Sequence, residues 1–163
     1  VAALAVTRCI SLEFAQRSID MRVILAIGAS LSLGFALQKT GLADIAAHGI
    51  MSLADGNPFL NLLLLYLVTV AATELITNNA AAVLVFPLAQ ALSAELDVSL
   101  LPFVMTIMFA ASSSFLTPFG YQTNLMVQGP GGYHFSDYFR VGVFLSILVG
   151  ILVVFCVPII WPF

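Results

Sequence analysis

Thr73-Glu74-Leu75-Ile76-Thr77-Asn78-Asn79 is the stretch whose reading decides the fold. It is polar and weakly helical, and it lies between two arms that otherwise read as membrane helix. Residues 58–72 are dominated by Leu and Val, and residues 80–93 are apolar with a single Pro87. Lipid offers the backbone no hydrogen-bond partners, so non-helical chain at membrane depth persists only where protein or a wet cavity encloses it. A polar break in such a place marks a binding site by default. A second break, Thr117-Pro118-Phe119-Gly120-Tyr121-Gln122-Thr123-Asn124, interrupts the next apolar stretch. Two interrupted helices whose unwound middles can meet at one point describe a transporter.

Composition sets the class. The 163 residues are 61% hydrophobic and 8% charged, with mean hydropathy +1.11, against about 25% charged residues in soluble domains. The chain reads as an all-α integral membrane protein. Its net charge of −3 leaves no basic patch for nucleic acid. Residue 1 is Val, and residues 2–7 look like the tail of a helix, so a fragment or one half of a longer protein is expected. Cys9 and Cys156 have no metal-type spacing, and neither His48 nor His134 has a second His or Cys three or four residues away, so no transition-metal site is read. Nor does any His-Glu-x-x-His, Gly-x-Ser-x-Gly or paired-aspartate arrangement point to an enzyme.

Outward from the first break, the chain divides as one membrane domain over residues 1–163. Residues 11–22 fit a surface helix, with Arg8, Arg17, Arg22, Glu13 and Asp20 around it. Residues 23–38 are uncharged and span ~24 Å as a helix, with Arg22 and Lys39 free to snorkel. Gly28, Ser30, Ser32 and Gly34 offer another helix a close approach, or are merely the small residues that membrane helices tolerate. Asp55-Gly56-Asn57-Pro58 reads as a turn with Asn57 as N-cap and Pro58 in the first helical position. Residues 57–93 then form a re-entrant hairpin with its tip near mid-membrane, because arms of ~22 and ~21 Å are short for a ~30 Å core; two thin crossings are the alternative. Glu95-Leu96-Asp97 reads as an acidic loop and Ser99 as a cap. Residues 99–128 form a helix broken at Pro118 and Gly120. A Gly129-Pro130-Gly131-Gly132 turn leads to a final span over 141–161, with Trp161 at the interface. The positive-inside rule puts Arg8, Arg17, Arg22 and Arg140 in the cytoplasm and Asp44, Asp55, Glu95 and Asp97 outside.

The breaks supply neutral oxygens and amides from Thr73, Thr77, Asn78, Asn79, Thr117, Gln122, Thr123 and Asn124. Unwound carbonyls suit a cation such as Na⁺, and helix N-termini at Asn79-Ala80 and Asn124 suit an anion. Holding both together is what symport requires; the plainer reading is that these residues only cap helix ends. Glu74 is either a coupling group or a brace bonded to backbone N–H groups of its own tip.

Residues 73–81 with Phe86-Pro87 resemble the second Ser-Asn-Thr hairpin of divalent-anion:sodium symporters. Residues 117–127 resemble the second broken helix of that family. Arg17-Ser18-Ile19-Asp20-Met21-Arg22 and Lys39-Thr40-Gly41-Leu42-Ala43 resemble the approach to the same repeat, and the sulfate-type branch is the nearest. The resemblance implies the C-terminal member of two inverted repeats in a homodimer, the first repeat supplying half of the site. It implies that Asn78 touches both Na⁺ and the anion, and that Thr77 and Asn79 touch the anion. Backbone at Thr73, Ile76 and Thr117 would ligate Na⁺, and Pro118 would border the anion. Asn79 in place of Thr, and Gln122-Thr123 in place of a Pro-Pro pair, bear on the substrate. Together with Thr123 and Asn124 these residues make the expected site. The expected activity is Na⁺ symport of a divalent oxyanion, sulfate ahead of dicarboxylate, in a plasma or inner membrane. A cation/proton antiporter or arsenite-type carrier, and a non-transporting membrane subunit, are the alternatives.

Overall fold

The computed structural model describes residues 21–163, and these form seven helices. They are α1 (Met21–Lys39), α2 (Leu42–Ala54), α3 (Pro58–Leu75), α4 (Asn78–Leu96), α5 (Leu101–Ala111), α6 (Gln122–Gly131) and α7 (Phe135–Ile160). The surface helix expected over 11–22 lies almost wholly outside the described residues.

Local chemistry sets most boundaries. Gly41 at φ 72° turns the chain between α1 and α2. Asn57 caps α3, its side-chain oxygen accepting from the N–H groups of Phe59 at 2.9 Å and Leu60 at 3.5 Å, with Pro58 in the first turn. The expected acidic loop is shorter than its sequence suggests. Glu95 and Leu96 remain helical, and only Asp97, at φ 51°, leaves the helix. Likewise Gly129-Pro130-Gly131 completes α6 rather than forming a free turn, and Gly132 at φ 64° ends it. α7 begins six residues earlier than the apolar run, because the Asp137 carboxylate caps the His134 N–H at 2.8 Å.

The first break is narrower than its polarity implies. Thr73, Glu74 and Leu75 stay in α3, and only Ile76 and Thr77 are unwound. α3 and α4 are therefore 18 and 19 residues long, ~27 and ~28 Å. Among the described residues α3, α4 and α7 are long and apolar enough to cross a membrane. Arm length thus gives no argument for a re-entrant path.

α3 and α4 nevertheless turn back on one another. At the break, Thr73 donates to the Ala111 carbonyl at the end of α5. At the far end, the Phe163 ring lies against Phe59 at 5.3 Å and Phe103 at 6.0 Å. α5 thus runs beside α3 in the same direction, while α4 returns along both. Leu65, Val85, Leu88, Leu92, Phe103 and Ile107 form the core between them, joined by Ala47 and Ile50 of α2. A second cluster of Tyr66, Val70, Ala110, Val153 and Val157 seats α7 on the other side.

α1 and α7 frame the pair and overshoot its tip. Gly34 fits against the Val83 carbonyl, where an added Cβ would stand at 3.3 Å, and Gln38 donates to Gln90 at 2.7 Å. This register carries Met21 ~9 Å past the level of Asn78. Gly28 meets no neighbour, so of the small residues in α1 it is Gly34 that α4 approaches. Gly142 of α7 packs on the backbone of Phe115 in the second break, leaving Phe135 ~10 Å beyond. Arg140 and the Arg22 turn of α1 thus share one end of the bundle, and Asp55 and Asp97 lie at the other, as the charge reading expects.

Candidate functional site

The two breaks meet. Residues 112–121 leave the helix after α5, and Pro118 in their middle is fully buried. Thr73, also buried, places its hydroxyl 2.8 Å from the Ala111 carbonyl and 2.9 Å from the side-chain amide of Asn78. A hydroxyl has one hydrogen, so it cannot donate to both. The amide orientation is therefore assigned from its hydrogen-bond partners. With nitrogen inward, Asn78 donates to Thr73 Oγ1 at 2.9 Å, Gly120 O at 3.1 Å and lies 3.2 Å from Ala111 O. One amide therefore joins the ends of α3 and α5, the start of α4 and the second break.

Glu74 makes the other link. Its Oε1 accepts from the Leu116 N–H at 2.9 Å and its Oε2 from the Thr117 hydroxyl at 2.7 Å. Thr117 Oγ1 in turn accepts from the Gly120 N–H at 3.1 Å. These partners belong to the second break, over 40 residues along the chain, and not to the tip that carries Glu74. Among the described residues the one contact between a basic and an acidic side chain is His48 with Glu95 at 2.9 Å, far from Glu74. Gly120 has no room for a side chain, since a Cβ would collide with the Ser114 side chain and stand 2.9 Å from Glu74 Oε2.

Asn124, in the first turn of α6, donates to the carbonyls of Ser114 at 3.1 Å and Thr117 at 3.2 Å. Its own carbonyl accepts from the Tyr138 hydroxyl at 2.8 Å, which ties α6 to α7. A cavity of about 410 Å³ opens beside it, between Phe115, Tyr133, Asp137, Tyr138 and Gly142. Helices α4 and α6 thus both begin at the junction, with N-terminal N–H groups and positive dipole ends there.

Of the expected residues, the structure gathers Thr73, Glu74, Asn78, Thr117, Pro118 and Asn124. Thr77 is exposed and caps α4 by accepting from Ala80 N at 3.4 Å. Ile76, Asn79 and Thr123 are exposed, and the side chains of Asn79 and Thr123 bond to nothing among the described residues. Sequence reasoning missed Ala111, Ser114 and Gly120. Ala111 contributes only a carbonyl, which composition cannot flag. Ser114 Oγ is buried without a hydrogen-bond partner, and the Ser112-Ser113-Ser114 run was its signal.

The donor set fits a hard monovalent cation. Thr73 Oγ1, the carbonyls of Ala111 and Gly120 and the orphan Ser114 Oγ are all neutral oxygens, and an orphan of this kind calls for a partner.

The citrate transporter family model (CitMHS) matches residues 1–163, the whole chain. The chain belongs to this transporter family. An uncharacterized transporter of Escherichia coli, YfbS, is 38% identical over 157 residues, covering 96% of this chain and 26% of that protein. Sodium/sulfate cotransporter 1 of Chlamydomonas reinhardtii is 33% identical over 160 residues, covering 94% of this chain and 18% of its own length. The sodium-dependent dicarboxylate transporter SdcS of Staphylococcus saprophyticus is 28% identical over 140 residues, 83% of this chain and 27% of SdcS. The resemblance to divalent-anion:sodium symporters is borne out, and these three relatives are transporters by name. The chain spans about a quarter or less of the length of the curated relatives it matches. No solved structure matches it.

Proposed function

We propose that this chain is the C-terminal repeat of a Na⁺-coupled secondary transporter that carries a divalent oxyanion, sulfate ahead of dicarboxylate. One observation carries the reading: the Asn78 amide lies within 3.2 Å of oxygens from three other parts of the chain, at the point where both breaks meet. Na⁺ would be held by Thr73, Asn78 and the unwound carbonyls near Ile76, Ala111, Thr117 and Gly120. The anion would lie against Thr77, Asn78, Asn79, Pro118, Thr123 and the α4 and α6 N-termini. Bound Na⁺ would offset the anion's charge and fix the tip, which is the coupling. The exposed polar side chains of Thr77, Asn79 and Thr123 suit a site whose other half comes from a first repeat, in a homodimer.

A re-entrant path for α3 and α4 is supported by the frame rather than by arm length. α1 and α7 each extend ~9–10 Å past the tip, so the pair stops short of the Arg-bearing surface. Hairpin and broken helix, fastened by Glu74 and Asn78, would move together and expose the site alternately. Sulfate is placed first because the sodium/sulfate relatives are 33–34% identical against 28% for the dicarboxylate relative. The setting would be a plasma or inner membrane.

The test is Na⁺-dependent uptake of labelled sulfate by the full-length protein. Asn78→Ala at normal surface expression is expected to abolish it, and unchanged uptake removes the site.

A further inference from the structure

We propose that Tyr138 is a positioning residue for the anion: its hydroxyl holds the first turn of α6 at the junction, so that this helix end is in place before the anion arrives. The inference deepens the site proposed above and rests on the anion lying against the α6 N-terminus.

α6 is 10 residues long and buries none of them. Among the described residues, none of the helix pairs that pack along one another includes it. A helix so short is marginal by itself, so a few specific bonds fix its place. Two of them run from the Asn124 amide to the Ser114 and Thr117 carbonyls at 3.1 and 3.2 Å. Both acceptors belong to unwound chain. The third runs from the Tyr138 hydroxyl to the Asn124 carbonyl at 2.8 Å. Among the described residues it is the one hydrogen bond that ties the first turn of α6 to another helix. Tyr138 lies in the first turn of α7, which is itself anchored one turn further on, where Gly142 meets the Phe115 backbone. The Tyr138 ring is half-buried and stands edge-on to the Tyr133 ring, with centroids 6.0 Å apart, which fixes the direction of its hydroxyl. Asn124 and Tyr138 both line the cavity of about 410 Å³, so there is open space into which the turn can move once the bond is gone.

The bond acts on the anion rather than on the cation. An anion at a helix N-terminus is held by backbone N–H groups at about 3 Å, so their position decides its affinity. A turn already fixed by Tyr138 costs nothing to order when the anion binds, whereas a free turn loses that ordering from the affinity. The ligands proposed for Na⁺ come from α3, the start of α4, the end of α5 and the unwound chain, and none comes from α6.

Tyr138→Phe removes the hydroxyl and keeps the ring. The assay is uptake of labelled sulfate by the full-length protein in proteoliposomes. At saturating Na⁺ the KM for sulfate is expected to rise about 5-fold, the factor that one neutral hydrogen bond supplies. The kcat should stay within about 2-fold, and the Na⁺ concentration for half-maximal uptake, measured at saturating sulfate, should not change. Tyr133→Phe is the control, since the Tyr133 hydroxyl bonds to nothing among the described residues; it should keep the native KM. An unchanged KM in Tyr138→Phe, an equal rise in Tyr133→Phe, or an equal rise in the Na⁺ requirement overturns the role of Tyr138 and leaves the transport reading standing. Absence of Na⁺-dependent sulfate uptake by the native protein overturns the transport reading, and with it the anion's part in the proposal. Hydrogen exchange then judges the bond by itself. Tyr138→Phe should speed amide exchange over residues 124–128 about 5-fold and leave residues 142–157 of α7 at the native rate. Native exchange over 124–128 overturns the hold on α6.

Discussion

Replacing Glu74 by glutamine keeps the shape of the side chain and removes one of its two acceptors. In the native protein Oε1 accepts from Leu116 N at 2.9 Å and Oε2 from the Thr117 hydroxyl at 2.7 Å. Hydrogen bonds to a charged partner contribute about 1.5–3 kcal/mol each, and neutral ones about 1 kcal/mol. Glutamine retains a neutral bond to Leu116 N, and its amide N–H₂ can donate to the Thr117 hydroxyl oxygen, so two charge-assisted bonds become neutral ones. Because the carboxylate is partly exposed, the low end of each range applies, and the loss is about 1 kcal/mol. If that loss falls on assembly of the junction, the Na⁺ concentration for half-maximal uptake rises roughly 5-fold, at about tenfold per 1.4 kcal/mol. Glu74→Ala loses both bonds and leaves the Leu116 N–H unpaired, about 4 kcal/mol in all, which removes transport in the measurable range. The assay is labelled-anion uptake against Na⁺ in proteoliposomes, with thermal melting of the same samples. Glutamine should transport at saturating Na⁺ and alanine should not, both melting below the native protein. Equal inactivity of the two variants with native melting would refute the brace and make Glu74 a titrating coupling group.

Gly120→Ala should reduce uptake more than 10-fold, since its Cβ meets the Ser114 side chain; adding Ser114→Gly, which removes that side chain, should restore part of the rate. Gly142→Ala places a Cβ into the backbone of Phe115, which cannot yield as a flexible side chain would, so melting should fall as for an overpacked core, by about 1–3 kcal/mol of stability. Asn57→Ala loses the α3 cap, about 1 kcal/mol, and should lower melting while leaving the Na⁺ dependence of uptake unchanged. His48→Ala breaks a contact with Glu95 whose histidine side chain is 72% exposed; melting and uptake should both stay near native values.

What the amino-acid sequence determined by itself is the set of properties written in short segments. Apolar runs too rich in Leu, Val and Phe for water fix the membrane class. Asn57-Pro58 fixes the start of α3, because an Asx cap and a fixed φ act within one turn. Pro118 and Gly120 fix that the next helix breaks, because neither is at home inside one, and Thr77 fixes the start of α4 as its cap. The charge pattern fixes which helix ends share a surface.

Tertiary structure alone decided where those segments meet. Nothing adjacent to Glu74 in sequence shows that Leu116 and Thr117 receive it, and its reading as a brace for its own tip failed for that reason. The Ala111 carbonyl reaches the junction because α5 ends there against Thr73, while every residue type carries the same carbonyl. Gly34 and Gly142 are close-approach positions and Gly28 is not, though each reads alike as a small residue in a membrane helix. The physical reason is common to all of these. Caps, breaks and hydropathy act over one or two turns, whereas a binding site is made by oxygens from distant turns. Their spacing of about 3 Å is set by how the helices pack.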